Sequence, residues 1–262
     1  MSFQLCYPQW KTKAVTFSYD DGQIYDRRLV QMFNRYGLKG TFHLNSGMLN
    51  KKEKTGEEFV TREELPELYK GHEIACHGVR HAYPTHLSQM QMVQEFYEDR
   101  CALEAYSGRI IRGCSYAFGE YDERVKETLK SLGFVYCRTV ESTEGFRMPE
   151  DFLTWTPSFH HNDVFKADLE RFIHMPGYMR IPLLYIWGHS FEFEREQTWE
   201  QMEKFCSKIA GQSDTWYSTN IEIVDYMTAA RNLIFSADCT KVENPSKIPI
   251  YGLMDGEKVI LQ

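Results

Sequence analysis

The strongest constraint on the fold is the alternation of short apolar runs with helix-type segments along most of the chain. Strand-type runs are predicted at 13–19, 39–45, 72–78, 111–119, 134–140 and 181–190. Helix-type segments follow them at 27–37, 61–71, 86–108, 122–133, 197–210 and 220–235. Strands that alternate with helices pair in parallel through right-handed crossovers. The pattern therefore predicts an α/β fold, with a closed or partly closed barrel rather than an open sheet.

The end of the chain departs from this alternation. Residues 241–262 contain two β-type runs around Asp255-Gly256, a dipeptide typical of tight hairpin turns. We expect one barrel domain over residues 1–240 and a β-hairpin over 241–262 that packs on the same domain. Residues 141–180 are less periodic and are predicted to form long loops with short elements.

Polar side chains follow several of the predicted strands. Asp20 and Asp21 come after the first strand, His77 and His81 after the third, and His189 after the last. In a parallel barrel, the residues at the carboxyl ends of the strands surround one rim. The sequence therefore predicts two carboxylates and three imidazoles around one rim.

His77 and His81 are four residues apart. On one helical turn this spacing directs both rings the same way, close enough to bind a single ion. A carboxylate from another strand end would complete a set of two histidines and one carboxylate, which leaves coordination positions for water and substrate. Hydrogen-bonded loop histidines are the alternative interpretation of the same spacing.

The adjacent aspartates Asp20 and Asp21 can have two different roles. One carboxylate can hold a metal ion while its neighbour accepts a proton from the attacking water. Gly22 permits the sharp backbone path that lets both side chains face the rim. A polar turn, whose aspartates are solvated or cap the next helix, explains the DDG triplet alone equally well.

Four segments, TFSYDDG, HGVRH, YAFGEYD and WGHS, occur in this order over about residues 13–190. The succession resembles the motifs of the NodB-homology polysaccharide deacetylases, carbohydrate esterase family 4. The resemblance implies a distorted barrel of seven or eight β/α units and an enzyme that removes acetyl groups from N-acetylated sugars. It also implies a divalent metal cofactor, Zn²⁺ first, with Co²⁺, Ni²⁺, Mn²⁺ or Fe²⁺ as alternatives.

The resemblance assigns roles to individual residues. Asp20 would be the general base, and His189 the general acid that protonates the leaving amine. Asp21, His77 and His81 would be the protein ligands of the metal ion.

Three aromatic residues are expected near the substrate. Phe118 falls at the position whose backbone N–H stabilises the tetrahedral oxyanion in this family. Tyr116, in the same segment, and Trp187, next to the late histidine, are expected to line the substrate site. A tryptophan on a strand is more often a core residue, which is the alternative for Trp187.

The chain departs from the family pattern at several positions of the motifs, and Ser18 and Tyr19 stand between Phe17 and Asp20 where many members have one residue or none. Ser115 occupies the place of an arginine that holds the base, and Gly78 replaces a Ser or Thr after the first motif histidine. Arg138, at the end of a predicted strand, is the candidate to replace the missing arginine, and a surface salt bridge is the alternative for it.

The family's fourth motif has no clear counterpart. Trp155 and Asp151 are possible substitutes for its aspartate. His160 and His161 could extend the site from a loop, although loop histidines are more often solvated.

Charge and hydropathy limit the partners. The formal net charge of −7 without a basic stripe argues against nucleic-acid binding. No stretch approaches the run of about 18 apolar residues that a membrane span needs, and the first residues lack the pattern of a signal peptide. We therefore predict a cytoplasmic protein whose substrate is an N-acetylated sugar or glycan, such as an intermediate of surface-glycan assembly. The oligomeric state is not predicted.

Two other functions stay open at this point. One is an amidase of the same family that acts on a non-sugar amide. The other is a catalytically silent carbohydrate-binding barrel that keeps the fold. The presence of Asp20 and His189 favours an enzyme, because a binding module needs neither a base nor an acid.

Overall fold

The computed structural model describes residues 2–167, 169–176 and 181–262. The strands are β1 Phe3–Leu5, β2 Lys13–Asp21, β3 Gly40–Leu44, β4 Glu73–Cys76, β5 Gly113–Ser115, β6 Tyr136–Arg138, β7 Phe159–His160, β8 Leu183–His189, β9 Thr215–Tyr217, β10 Ile234–Phe235, β11 Val242–Glu243, β12 Ile250–Met254 and β13 Glu257–Leu261. The helices are α1 Asp26–Tyr36, α2 Leu65–Leu68, α3 Gln89–Ser107, α4 Glu123–Ser131, α5 His161–Val164, α6 Glu170–Ile173, α7 Ser190–Arg195, α8 Trp199–Ile209 and α9 Asn220–Arg231. Within these ranges, no helix has both the length and the apolar composition needed to cross a membrane.

One curled sheet of eight parallel strands carries the candidate site. Its order is β6-β5-β4-β3-β2-β8-β7, with β9 beside the start of β2. The segment before β7 connects the two edges, because the Trp155 N–H donates to the Cys137 carbonyl at 3.0 Å and the Ser158 N–H donates to the Tyr185 carbonyl at 2.8 Å. The predicted α/β barrel-type fold is confirmed. Part of the predicted loop region 141–180, residues 168 and 177–180, lies outside the described residues.

The side chains of strand β2 show that the two faces of the sheet differ, one being apolar and the other polar. Val15, Phe17 and Tyr19 belong to the apolar core between the sheet and the helices. The alternate residues, Ser18 and Asp20, lie on the other face and are equally buried. The concave interior of the sheet is therefore a buried polar region rather than an apolar core.

The helix predicted over 61–71 is mostly a turn. Only α2 forms there, and the Thr61 N–H donates to the Glu64 side chain at 2.6 Å in front of it. Pro66 has no N–H for a helical hydrogen bond, which is consistent with this short element. The long helix predicted next is present as α3, which starts after a capping box at Ser88 and ends at Gly108.

The predicted C-terminal hairpin is formed by β12 and β13, with Asp255-Gly256 at its turn. Strand β1 adds to it, antiparallel to β12, so that the beginning and the end of the chain form one three-stranded sheet. The Tyr226 hydroxyl on α9 donates to the Cys6 carbonyl and accepts from the Tyr251 N–H. These bonds attach the small sheet to α9, and the domain boundary at residue 240 stays a prediction.

Glu73 closes the interior at the amino ends of the strands. Its carboxyl group accepts hydrogen bonds from the Thr41 hydroxyl at 2.9 Å, the Tyr136 hydroxyl at 2.8 Å and the Ile221 N–H at 2.8 Å. Burial raises the pKa of Glu73 to about 7, although these hydrogen bonds oppose the shift. Glu73 therefore links three strands to the start of α9 and stays largely protonated in mildly acidic solution.

We expect this carboxyl group to make the stability of the protein depend on pH. The pKa of Glu73 rises from 4.5 to about 7 on folding, so its contribution is full below about pH 4.5 and is lost as the pH rises through about 7. The contribution is about 3 kcal/mol over that range. Glu73→Gln should flatten the dependence of the urea midpoint between about pH 5 and about pH 8.

The control for this experiment is Glu67→Gln, because Glu67 lies on α2 with 83% of its side chain exposed. It should keep the wild-type dependence on pH. An unchanged slope in Glu73→Gln would contradict the assignment.

Candidate active site

Asp20 lies at the centre of a ring of polar side chains. The register of β2 with its two neighbours places His43 on β3 and His189 on β8 directly beside it. Arg138 on β6 donates from Nη2 to Asp20 Oδ2, and the Ser115 hydroxyl donates to Oδ1 at 3.2 Å. The structure thus brings Arg138, which is fully buried, to the predicted base, and excludes the alternative of a surface salt bridge.

The environment of Asp20 keeps it ionised. Burial alone would raise the pKa of this carboxyl group, but the Arg138 guanidinium and the neighbouring imidazoles hold it well below its usual range. Arg138 is itself fixed, because it donates to Ser18 Oγ at 3.1 Å and to the Thr139 carbonyl at 2.9 Å. The Trp187 ring covers the guanidinium at 4.4 Å. A charged, oriented carboxylate is available at the rim.

Asp21, His77 and His81 form a candidate metal centre. One ligand atom from each lies within 4.8 Å of the others, and Asp21 Oδ1 is 3.7 Å from the Nε2 atoms of both histidines. His77 Nδ1 lies 2.7 Å from Ser115 Oγ and 3.1 Å from the Ser115 carbonyl oxygen. Since this hydroxyl donates to Asp20 and the carbonyl can only accept, Nδ1 carries the proton. The His77 Nε2 lone pair then faces Asp21, and burial lowers the pKa of His77, which favours the neutral ring that binds metals. The three residues fit a divalent ion of the Zn²⁺ type.

Helix geometry does not bring His77 and His81 together, although their spacing would allow it. The segment is an irregular loop in which Gly78 and His81 have φ angles of +82° and +56°. Asp99 on α3 accepts the N–H groups of His77 and Gly78 at 3.1 and 3.0 Å, and Asn45 donates to both of their carbonyls at 2.8 Å. The two rings converge because neighbouring elements hold the loop, rather than through helix geometry.

The aromatic residues of the third segment divide between rim and core. Phe118 has a φ of +59° and lies at the rim, with its ring 4.4 Å from that of His81 and 3.7 Å from that of Tyr83. The oxyanion role of its N–H stays a prediction. Tyr116 is fully buried and donates its hydroxyl to the Leu153 carbonyl at 2.8 Å. The structure therefore contradicts the predicted substrate contact of Tyr116, because strand alternation directs this side chain away from the rim.

His189 faces Asp20 from the end of β8. Its Nδ1 lies 3.3 Å from Glu192 Oε2, and its backbone N–H donates to the same oxygen at 3.1 Å. Burial would lower the pKa of His189, but the Glu192 side chain and the two adjacent aspartates raise it overall. Trp187, only 9% exposed, lies between this histidine and Arg138, with ring centroids of Trp187 and His189 5.8 Å apart. Its predicted substrate contact stays a prediction.

Two residues of the site were not found from the sequence. His43 is fully buried, with Nδ1 3.1 Å from Ser18 Oγ and 3.4 Å from Asp20 Oδ1, and burial lowers its pKa to about 3. Strand alternation in GTFHL could have revealed it. Phe42 packs in the core between the sheet and the helices, so its neighbour His43 must face the interior of the sheet. Glu192 was signalled only by its place three residues after His189, where it forms the capping box of α7.

The proposed substitutes for the fourth motif lie elsewhere. Trp155 packs in the core against Tyr185, with ring centroids 4.7 Å apart. Asp151 pairs with Lys126 at 3.0 Å and accepts the Leu153 N–H at 2.8 Å. Neither is among the contacts of Asp20 or His189.

Comparisons with known proteins relate this site to a family. The family model described as "Polysaccharide deacetylase" matches residues 8–137, a region that includes Asp20, Asp21, His77 and His81 but ends before β8. No curated protein matches the chain significantly in sequence.

Solved structures resemble the fold over most of its length. A protein from Mycobacterium smegmatis assigned to the polysaccharide deacetylases has a TM-score of 0.65 at 16% identity, covering 88% of this chain and 95% of that one. An allantoinase, Puue, has a TM-score of 0.65 at 12% identity, covering 84% and 91%. A family 4 carbohydrate esterase pseudoenzyme from Bacillus anthracis has a TM-score of 0.51 at 13% identity, covering 84% and 67%. At these identities the likeness establishes the fold alone.

The loop between the two histidines yields a testable prediction at Gly78. A Cβ atom at this position would lie 2.9 Å from Glu95 Oε1, and the φ of +82° is strained for any other residue. Gly78→Ser should therefore lower the free energy of unfolding. Gly211 is the matched control, because its φ is +69° but a Cβ there would meet nothing within 4 Å.

We expect Gly211→Ser to cost about 1 kcal/mol through backbone strain alone. Gly78→Ser should cost at least about 1 kcal/mol more, since the buried Glu95 must move. Urea unfolding measures both values, and equal losses in the two variants would show that the contact with Glu95 is unimportant.

Proposed function

The chain belongs to the polysaccharide deacetylase family, and on that premise we propose that it is a metal-dependent hydrolase that removes the N-acetyl group from a sugar or glycan. One observation carries the proposal. The ionised Asp20, anchored by Arg138, shares one rim with the set of Asp21, His77 and His81. Base and metal ligands therefore occupy the same site.

Asp21, His77 and His81 would hold the metal ion. Two imidazoles and one carboxylate suit Zn²⁺, and Co²⁺, Ni²⁺, Mn²⁺ and Fe²⁺ are alternatives. Such an ion supplies acidity to a coordinated water and polarises a carbonyl group. The proton on His77 Nδ1, held by Ser115, keeps the ligating nitrogen of this ring directed at the centre.

Asp20 would accept the proton of the attacking water. It stays ionised at physiological pH because Arg138 and the surrounding imidazoles favour the carboxylate. Arg138 and Ser115 each contact a different oxygen of Asp20, so the carboxylate cannot rotate freely. The Phe118 N–H is the proposed donor to the oxyanion of the tetrahedral intermediate.

His189 would donate a proton to the leaving amine nitrogen. Its raised pKa favours the protonated ring near neutral pH, whereas Asp20 is deprotonated over the same range. Hydrolysis of an amide needs this combination of a charged base and a protonated acid. A silent binding module would gain nothing from it.

The reaction products distinguish a deacetylase from an amidase and from a silent barrel. A panel of N-acetyl sugars should release acetate, whereas an amidase would open a cyclic amide without releasing acetate. Bound metal without turnover of any compound would favour the silent barrel. The surface-glycan intermediate and the cytoplasmic location stay predictions.

The first test of the mechanism is Asp20→Asn. Loss of the base should reduce acetate release by about 10²–10⁴-fold, while metal content stays at the wild-type value because Asp21, His77 and His81 are intact. Since the substitution leaves the buried Arg138 without its counter-ion, folding is checked by a thermal melt. His189→Gln, on a different strand, is the second variant and should lose activity to a similar degree. Full activity in either folded variant would falsify this mechanism.

The second test concerns pH. His189 must be protonated to act as the acid, so activity should fall on the alkaline side as the pH rises through its raised pKa. Glu192→Gln removes the carboxylate that supports this proton, and the alkaline limb of kcat should shift to lower pH. Glu200→Gln, an exposed residue in the first turn of α8, should leave the profile unchanged. An unshifted limb in Glu192→Gln argues against His189 as the acid that Glu192 supports.

A further inference from the structure

A second cluster of ligand-type side chains lies beside His189. His160 and His161 come from the junction of β7 and α5, and Glu192 from α7, and one ligand atom from each lies within 4.8 Å of the others. Glu192 Oε2 is 3.1 Å from His160 Nε2 and 3.5 Å from His161 Nε2. Donor atoms bound tetrahedrally at about 2.1 Å from one ion are separated by about 3.4 Å. Both distances from Glu192 are therefore close to those of a metal site.

His161 gives the second, independent observation. It is fully buried, and neither of its ring nitrogens makes a hydrogen bond with the described residues. A buried polar group without a partner costs about 1–3 kcal/mol. Burial lowers the pKa of His161 to about 3, so the ring is neutral, which is the form that binds metals. The position thus has an unexplained cost, and a ligand on one ring nitrogen would remove the part of it that belongs to that nitrogen.

The packing around His161 determines which nitrogen is available. Its ring stacks on Tyr19 at 5.9 Å and lies 4.2 Å from the Phe193 ring, so its orientation is fixed. A Cβ at position 188 would lie 2.1 Å from His161 Nδ1, so this nitrogen packs against Gly188. Nε2 is the atom directed at Glu192.

We propose that His160, His161 and Glu192 bind a second divalent transition-metal ion, separate from the centre formed by Asp21, His77 and His81. Two imidazoles and one carboxylate favour Zn²⁺, Co²⁺ or Ni²⁺ over Mg²⁺ and Ca²⁺, which prefer oxygen ligands. The side chains of His160 and Glu192 are 19% and 12% exposed, which leaves a path from solvent to the site.

Binding changes the hydrogen bonding of His160. Without the ion, its Nδ1 accepts the Asn162 N–H at 3.3 Å, and its Nε2–H donates to Glu192. Coordination through Nε2 moves the ring proton to Nδ1, so the Asn162 N–H loses this acceptor. The Asn162 amide therefore reports occupancy by a change in its NMR chemical shift.

The charges around the cluster should make it bind a metal ion more weakly than the first centre does. Arg195 Nη2 lies 3.4 Å from Glu192 Oε1, and His189 Nδ1 lies 3.3 Å from Oε2. The Arg195 guanidinium competes with a cation for this carboxylate, and the His189 ring occupies space beside its other oxygen. The second ion should therefore bind more weakly than the first, and dialysis against a chelator should remove it first.

The test is a Co²⁺ titration of the full chain, with Co²⁺ as a spectroscopic probe for a site of the Zn²⁺ type. Asp21→Ala combined with His77→Ala removes the first centre, and this double variant should still bind one equivalent of Co²⁺ with visible absorption bands of a four-coordinate ion. His160→Ala or Glu192→Gln in that background should weaken binding by at least about 100-fold. The half-buried His160 is preferred to the fully buried His161 because its removal leaves the core intact.

The matched control is His174→Ala. His174 also forms a His–Glu pair, with Glu170 at 3.0 Å, but it is 76% exposed on the surface. This variant should bind Co²⁺ as its parent does. A folded double variant that binds no Co²⁺, or whose affinity is unchanged by His160→Ala, overturns the proposal.

A second titration covers the case in which the double variant does not fold. The wild-type chain should then bind two equivalents of Co²⁺, and His160→Ala should bind one. A single equivalent in the wild type overturns the proposal. Neither result depends on which amide the protein hydrolyses, so the second site and the proposed deacetylase activity succeed or fail separately.

Discussion

The ion pair of Asp20 and Arg138 is the interaction on which the rest of the site depends. Both side chains are withdrawn from water, with exposures of 2% and 0%. Transfer of two such charges into a protein costs several kcal/mol for each ion, which their attraction offsets only when further hydrogen bonds satisfy both groups. Ser115 supplies one to the carboxylate, and Ser18 and Thr139 supply two to the guanidinium. The interior of the sheet must therefore be polar, and β2, β5 and β6 must keep their register.

The two halves of the candidate centre are positioned by different means. Asp20 is held inside the sheet by Arg138, which also donates to Ser18, and Asn220 at the start of α9 donates to the Tyr185 hydroxyl in the same interior. The histidine loop instead depends on Asp99 of α3, which accepts the N–H groups of the consecutive residues His77 and Gly78. Damage to the sheet interior should therefore affect the proposed base first, and damage to α3 should first affect the candidate metal ligands.

The sequence predicted the parts of this structure that depend on local pattern. Strand and helix alternation was sufficient for the fold class, and the ordered motifs placed Asp20, Asp21 and His189 at strand ends. The i, i+4 spacing did not reveal the local geometry around His77, because spacing does not distinguish a helical turn from a loop with left-handed residues. Arg138 reaches Asp20 across the barrel, and that contact depends on strand order, which is non-local. Tyr116 was wrongly predicted to line the substrate site. Its neighbour Ser115 faces the interior, so strand alternation directs Tyr116 to the opposite side.

The cost of burying charge bears on the choice between an enzyme and a silent barrel. The proposed base is kept anionic by a cation, Arg138, whereas the pKa of the proposed acid is raised by an anion, Glu192. Each pair lies in a largely buried environment where an apolar pair of similar size would be equally or more stabilising. Stability alone therefore gives no reason for two opposite pairs to face each other across adjacent strands, with Asp20 in register with His189. Proton transfer in opposite directions at one amide bond does give a reason, because it needs one group of each kind within the same site.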